Sequence, residues 1–211
     1  MIRAIIFDVD GVLIDSHDAN ILFFKRLIRA FGYKVPTQRI LEKGHAMPLI
    51  DLIRLMTKEK SEERARWILD HWADKVKYPS RMVRSVRGTA ATLRRLEGKY
   101  RLAIVTNRIM EGRSMMYDIG SIARHFDIVV SFGDYRRPKP YPDPLLVAAK
   151  RLGIPPSECV YVGDLSVDKK AAYNAGMKFI CFAGSKGAHP RSRYTVKEFP
   201  KLEEAISKIG G

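Results

Sequence analysis

Apolar residues follow two different rhythms along the chain. In the first, short runs rich in β-branched residues stop abruptly at a polar residue. Arg3 to Phe7 ends at Asp8, and comparable runs occupy Arg101 to Val105, Ile128 to Val130, Cys159 to Val162 and Lys178 to Phe182. Runs of this length without polar alternation fit strands buried on both faces, as in a parallel sheet. Segments with helical spacing, Thr89 to Glu97, Pro142 to Leu152 and Ser166 to Ala175, lie between most of them. Strands alternating with helices predict an α/β fold, a doubly wound, Rossmann-like parallel sheet. Gly98, Gly153 and Gly176 stand where a helix gives way to the next strand, a position that takes a left-handed residue. A short strand near Tyr194 to Val196 and a helix from Lys201 to Lys208 complete the pattern.

The second rhythm occupies Ser16 to Arg81, where no strand-like run occurs. Ile21, Phe24, Leu27, Ile28 and Phe31 follow three-and-four spacing, as do Ile50, Ile53, Leu55 and Met56, and then Trp67, Ile68, His71 and Trp72. Three or four amphipathic helices are expected, broken at Gly32, Pro36, Gly44, Pro48 and Pro79. The predicted organisation is a catalytic core of residues 1–15 and 82–211 with an all-helical insert at 16–81. An insert placed directly after the first strand of a parallel sheet rises from the carboxyl edge, where open α/β sheets bind ligands, so it reads as a cap.

Composition narrows the class. The 211 residues are 46% hydrophobic, enough for a full core, and no stretch approaches the apolar length of a membrane span. The opening Met1 to Phe7 is interrupted by Asp8 and Asp10 before a secretory core forms, so a cytoplasmic protein is expected. Cys159 and Cys181 each sit inside an apolar run and read as buried reduced thiols. The net charge of +15 favours anionic partners. Nine of the basic residues (Arg81, Arg84, Arg87, Arg94, Arg95, Lys99, Arg101, Arg108, Arg113) fall in one segment with only Glu97 and Glu111 against them. Aromatic residues do not interleave with them before Tyr100, so a solvated helix face is preferred to a nucleic-acid surface.

Candidate chemistry gathers at the strand ends. Asp8-Val9-Asp10-Gly11-Val12 places two carboxylates two apart where a strand stops, with a glycine that lets the chain turn. A calcium loop is excluded, because the preceding element is a strand, no third acidic ligand precedes the glycine, and no Glu closes the loop. Thr106-Asn107 follows the second run and offers a hydroxyl and an amide to phosphate oxygens. Lys139 stands in Arg137-Pro138-Lys139-Pro140, a stiff loop that holds an ammonium in place. Asp164 ends another run, and Asp168, four residues on, shares a face with it as a helix begins. Taken singly, Thr106 reads equally as a helix cap, Lys139 as a surface charge, and the Asp pair as a helix N-terminus favoured by the dipole.

Together these motifs resemble the haloacid dehalogenase superfamily, in particular its phosphoglycolate phosphatase and β-phosphoglucomutase-like group with a helical cap. The resemblance spans nearly the whole chain. It rests on Asp8 to Ser16, Thr106-Asn107, Lys139-Pro140-Tyr141-Pro142-Asp143-Pro144 and Gly163-Asp164 through Asp168, in that order, with Ala171-Ala172 and Asn174 to Met177 continuing the expected helix and turn. Leu165 departs from it, since relatives commonly carry serine there. The resemblance implies that Asp8 attacks phosphorus and forms an aspartyl-phosphate, and that Asp10 protonates the leaving alcohol and then activates water. It also implies Mg²⁺ held by Asp8, the Asp10 carbonyl and Asp164, with Asp168 orienting either metal-bound water or Lys139. Mg²⁺, Lys139 and the Thr106 hydroxyl would offset repulsion between the anionic nucleophile and phosphate. In the cap, Lys43 and His45 flank Gly44 in a loop that in relatives faces the active site. The alternative is that Gly44 simply ends a helix with solvated neighbours.

The expected activity is therefore Mg²⁺-dependent hydrolysis of a small phosphorylated metabolite, phosphoglycolate-like or a sugar phosphate. A phosphosugar mutase with the same residues is the nearest alternative. A basic binding protein on this scaffold is supported only by the net charge. Asp10 itself argues against dehalogenation, which needs no acid for an alcohol leaving group.

Overall fold

In a computed structural model the described residues are 1–58, 61–108, 120 and 122–210. Glu111 and Arg113 of the basic segment lie outside them. The chain divides into two compact units, Met1–Asp15 with Arg84–Gly211, and Ser16–Val83.

The first unit is built on a six-stranded parallel sheet. Its strands are β1 (Ala4–Phe7), β4 (Arg101–Val105), β5 (Ile128–Val130), β6 (Cys159–Gly163), β7 (Lys178–Phe182) and β8 (Thr195–Val196), in the spatial order β5-β4-β1-β6-β7-β8. The two central strands show why the sequence runs are unalternated: all of β1 and all of β6 are buried. The helices α5 (Thr89–Leu96), α6 (Asp143–Leu152), α7 (Ser166–Asn174) and α8 (Leu202–Gly210) belong to this unit. Ala4, Ile6, Ala103 and Tyr161 share one apolar cluster with Leu145, Ala148 and Ala171, so the sheet meets α6 and α7 there. The Cys159 and Cys181 thiols are free and buried, and burial pushes both up to about 11.

Strand order reverses at β1, which has β4 on one side and β6 on the other. Open α/β sheets hold ligands in the crevice outside the carboxyl ends of the strands at such a switch point. The feature that sequence periodicity did not disclose is a two-residue antiparallel ribbon, β2 (Ile14–Asp15) with β3 (Arg84–Ser85), where the chain leaves and re-enters this unit. Two-residue strands carry no readable period.

Gly153 (φ 68°) and Gly176 (φ 71°) take the left-handed conformation expected of them. Gly98 does not. Glu97 stays right-handed, and the turn closes instead through Lys99 and Tyr100, whose N–H groups both donate to Leu96 O at 2.9 Å.

The second unit contains α1 (His17–Ala30), α2 (Gln38–Lys43), α3 (Leu49–Thr57) and α4 (Glu62–Lys75). They enclose Phe24, Leu27, Leu41, Leu52, Ile53, Ala65 and Ile68. Two expected inward residues lie outward, Leu55 at 38% and Trp67 at 40% exposure. Leu52 and Ala65 take the inner positions, and Trp67 stacks on His71 with Arg64 over its ring. Gly44 belongs to this packing, because a Cβ there would lie 2.7 Å from Leu52 Cδ2 and 3.0 Å from Phe24 Cε2. No helix among the described residues is long and apolar enough to cross a membrane.

Candidate active site

Three strand-end segments gather around Lys139. Asp8 follows β1 directly, and its N–H donates to Val162 O of β6 at 2.9 Å, fixing the carboxylate between the two central strands. The loop after it closes on one carbonyl, with Leu13 N and Ile14 N both donating to Val9 O. Thr106 follows β4, and Asp164 follows β6.

Lys139 is buried, and its ammonium has three neighbours: Asp8 Oδ1 at 2.9 Å, Asp168 Oδ1 at 2.7 Å and the Tyr161 hydroxyl at 2.9 Å. An ammonium has three N–H donors, so all of them have partners. Asn107 places Lys139 from the other side. Its amide oxygen accepts from Lys139 N at 3.0 Å while its amide nitrogen donates to Lys139 O at 3.3 Å. The sequence reading gave that amide to phosphate. The structure uses it also to clamp the lysine's backbone, leaving one amide hydrogen over.

Asp168 is fully buried and both its oxygens are engaged, Oδ1 by Lys139 and Tyr161 and Oδ2 by the N–H of Leu165 at 3.0 Å. Of the two expected jobs for Asp168, the contact present is the one with Lys139. The departure at Leu165 leaves a backbone donor to Asp168 in place. The Thr106 hydroxyl oxygen accepts from Arg108 N at 3.1 Å, which leaves its hydrogen free to donate elsewhere. Asp10 is less enclosed, with its side chain 26% exposed and Arg108 Nη1 3.7 Å from Oδ1.

The electrostatics follow from burial. Asp8 is pushed up to about 7, chiefly by burial, with Lys139 pulling it down and Asp168 and Asp10 pushing it up. Asp164 is raised well above the usual carboxylate range by burial and by Asp168 and Asp8. For Lys139, burial alone would lower the value, but Asp168 and Asp8 outweigh it and hold the ammonium charged well beyond the ordinary range. Three buried carboxylates thus share one cation, and the excess negative charge calls for another.

A divalent metal fits that need. Asp8, Asp164 and Asp168 each offer an oxygen within 4.8 Å of the others. Since Asp168 is occupied, the available donors are on Asp8 and Asp164, and Asp164 Oδ1 is buried with no hydrogen-bond partner. An all-oxygen donor set suits Mg²⁺. Gly11 keeps the space beside Asp164 open: it has φ 76°, and a Cβ there would stand 2.2 Å from Asp164 Oδ2.

A haloacid dehalogenase-like hydrolase profile matches residues 5–182. The chain belongs to that family. It is 31% identical over 197 residues to pyrophosphatase PpaX of Bacillus velezensis, covering 92% of this chain and 89% of that one. It is 28% identical over 178 residues to phosphoglycolate phosphatase of Aquifex aeolicus, covering 83% of this chain and 82% of the relative. Among solved structures it resembles a subfamily IA hydrolase of this superfamily from Geobacter sulfurreducens, with TM-score 0.70 at 25% identity over 97% and 96% of the two chains. The fold is also that of β-phosphoglucomutase from Clostridium difficile, with TM-score 0.77 at 19% identity over 100% of both chains.

Three contributors to this hydrolase's site escaped sequence reasoning. Tyr161 is the one polar side chain in an apolar strand, and that oddity was its only signal, because a buried hydroxyl needs a partner. The second is the segment around Ser185 and His189. Ser185 Oγ donates to Asp164 Oδ2 at 3.2 Å, and the His189 ring nitrogens contact Asp164 O and Ser185 O, each at 3.0 Å. The third is Arg108, which sequence reading counted only as one charge of a basic segment. That segment is dispersed: Arg95 and Lys99 pair with Glu203, Arg101 with Asp127 and Arg108 with Asp10.

In the helical unit Lys43 is exposed at the end of α2. His45 stacks face to face on His17, with ring centroids 4.6 Å apart. Burial works to lower the His17 value, but hydrogen bonds to Asp18 and Glu42 prevail and raise it.

Proposed function

We propose that this hydrolase is a Mg²⁺-dependent phosphatase acting on a small phosphorylated metabolite through an aspartyl-phosphate on Asp8. The observation that carries the reading is the buried ammonium of Lys139, 2.9 Å from Asp8 Oδ1 at the switch point of the sheet. A carboxylate attacks a phosphate dianion only where positive charge offsets their repulsion. The named activities of the relatives, pyrophosphatase and phosphoglycolate phosphatase, agree with phosphoryl transfer to water.

In this reading Lys139 keeps Asp8 ionised and aimed, while Asp168, Tyr161 and Asn107 keep Lys139 in place. Mg²⁺, held by Asp8, Asp164 and the Asp10 carbonyl, supplies further charge neutralisation when bound. The Asp8 carboxylate attacks phosphorus, the bond to the leaving oxygen breaks, and that oxygen takes a proton from Asp10. Asp10 then takes a proton from water, whose oxygen attacks phosphorus and releases Asp8. A partly exposed Asp10 suits a group that exchanges protons with water, and a buried Asp8 suits a nucleophile. The Thr106 hydroxyl, turned by its bond from Arg108 N, donates to a phosphoryl oxygen.

The phosphosugar mutase alternative uses the same residues and differs in the acceptor. The shared fold with β-phosphoglucomutase does not favour it over hydrolysis. The helical unit is proposed to act as a cap, with Lys43 and His45 selecting the part of the substrate that does not react. Turnover of phosphoglycolate, pyrophosphate and small sugar phosphates with Mg²⁺, scoring free phosphate and isomerised product separately, tests the assignment. Free phosphate is expected, lost in Asp8→Asn. Isomerised product alone would select the mutase, and turnover by Asp8→Asn would remove Asp8 from its role.

A further inference from the structure

Phosphoryl transfer at Asp8 makes no use of His17 and Glu42, yet the helical unit brings both to one place with His45. α2 runs on into a single 3-10 turn, Gly44–Ala46, and both Lys43 (φ −61°, ψ −26°) and Gly44 (φ −61°, ψ −28°) stay right-handed. The helical path is therefore continuous, and Glu42 and His45, three residues apart, share one face of it. His17 opens α1. Gly44 lets the turn settle on Phe24 of that helix, since a Cβ there would lie 3.0 Å from Phe24 Cε2. The His45 ring then meets Phe24 in an edge contact and His17 face to face.

A ring nitrogen of His17, a ring nitrogen of His45 and a carboxylate oxygen of Glu42 all lie within 4.8 Å of one another. His17 Nε2 is 2.8 Å from Glu42 Oε2. The far atoms of the same two residues are held: His17 Nδ1 is 3.0 Å from Asp18 Oδ1, and Gln38 Nε2 donates to Glu42 Oε1 at 2.7 Å. An imidazole whose far nitrogen meets a carboxylate, beside a carboxylate whose far oxygen accepts a hydrogen bond, is the arrangement that orients metal ligands. Two imidazoles and one carboxylate suit Zn²⁺ and its neighbours Co²⁺ and Ni²⁺, whereas Mg²⁺ prefers oxygen alone. Tetrahedral bonds of about 2.0–2.1 Å put the donor atoms roughly 3.3 Å apart. The two rings stand 4° from parallel, so ligation requires each to turn toward the ion. The His17 and Glu42 side chains are 19% and 42% exposed, which gives an ion access from solvent.

We propose that His17, Glu42 and His45 bind one divalent ion of the Zn²⁺ class, with water completing its coordination. The site differs from the carboxylates of Asp8 and Asp164 in donor chemistry and lies in the other unit of the chain, and it does not depend on Asp8 being the nucleophile. The ion ties the turn after α2 to the start of α1, and so steadies the segment carrying Lys43 that is proposed to select substrate.

Co²⁺ is the probe, because its visible absorption separates tetrahedral nitrogen-ligated sites from octahedral all-oxygen ones. Titration of the full chain with Co²⁺ under saturating Mg²⁺, followed by absorbance and equilibrium dialysis, is expected to show one equivalent with the tetrahedral spectrum, displaced by Zn²⁺ and not by further Mg²⁺. His17→Ala and the conservative Glu42→Gln should each weaken this binding by more than about 100-fold, beyond the 10- to 100-fold range of an outer-shell partner. Gln38→Ala, which only loosens Glu42, should weaken it by about 10-fold. Asp164→Ala and His71→Ala should leave it unchanged, and a melting curve of each variant confirms that it is folded. A missing tetrahedral spectrum in the wild type, binding that survives in either His17→Ala or Glu42→Gln, or binding lost in Asp164→Ala would overturn the proposal. The last result would place the ion with the Asp8 carboxylate instead.

Discussion

Lys139 Nζ lies 2.7 Å from Asp168 Oδ1, an ion pair with both side chains almost wholly removed from solvent. A buried charge that loses its partner is expensive, so the two residues depend on each other more than either depends on solvent. Asp168→Ala should leave Lys139 with Asp8 as its one carboxylate neighbour beside the Tyr161 hydroxyl and lower kcat strongly, while Mg²⁺ affinity changes less than in Asp164→Ala. Metal titration of activity in the two variants checks this. An equal loss of metal affinity in both would make Asp168 a ligand rather than an anchor.

Lys139→Met should destabilise the metal-free protein by about 3–5 kcal/mol, the usual cost of orphaning a buried charge. Denaturant unfolding in the presence of chelator measures it. Mg²⁺ should restore part of the stability but not the turnover, since the metal replaces charge and not the aim of Asp8.

Tyr161→Phe removes one neighbour of the same ammonium. A stability loss of about 1–2 kcal/mol is expected for an unsatisfied buried donor. Lower kcat with nearly unchanged KM is the kinetic signature of a misplaced Lys139, because Tyr161 is fully buried with its hydroxyl on Lys139, Asp168 and Val105. A change confined to KM would contradict that positioning role.

The raised carboxylates give a pH dependence with a definite sign. Asp8 goes from 3.8 to about 7 on folding, so the folded state holds its proton more tightly than the unfolded state. Its contribution to stability is present below about pH 4 and is lost as pH rises toward 7. Asp164 shifts in the same direction. Mg²⁺ competes with those protons, so the rise in Tm on adding Mg²⁺ should be larger at pH 7.5 than at pH 5. Melting curves with Mg²⁺ and with chelator at both pH values test this. A Mg²⁺ effect independent of pH would mean that the metal does not bind at these carboxylates.

Lys43→Ala and His45→Ala should lower kcat/KM for the physiological substrate far more than for a small aryl phosphate. Equal losses on both, or none, would confine these residues to a structural role. The stacking of His45 on His17 makes a melting curve of each variant a necessary control.

Much of this molecule was legible in its sequence because its strands are short, apolar and sharply ended. Arg3 to Phe7 could be read as a fully buried strand because nothing polar interrupts it, and Asp8 drew notice because it does. Lys139 could be read as a fixed cation because prolines bracket it. Tyr161, the bonds from Ser185 and His189 to Asp164, and the use of Asn107 as a backbone clamp were not legible. Each depends on residues distant in sequence meeting at one point, which periodicity does not encode. Gly98 misled because a helix can also end on a right-handed turn. Arg108 was hidden by composition, where it was one basic residue among nine in its segment.

The central claim is that the phosphoryl group passes through Asp8. Acid quenching of the wild-type enzyme during turnover, followed by proteolysis and mass spectrometry, locates any covalently held phosphoryl group. It should lie on the peptide containing Asp8, appear within the first turnover and be absent from Asp8→Asn. A phosphoryl group trapped on another residue, or continued phosphate release by Asp8→Asn with no labelled peptide, would contradict the account.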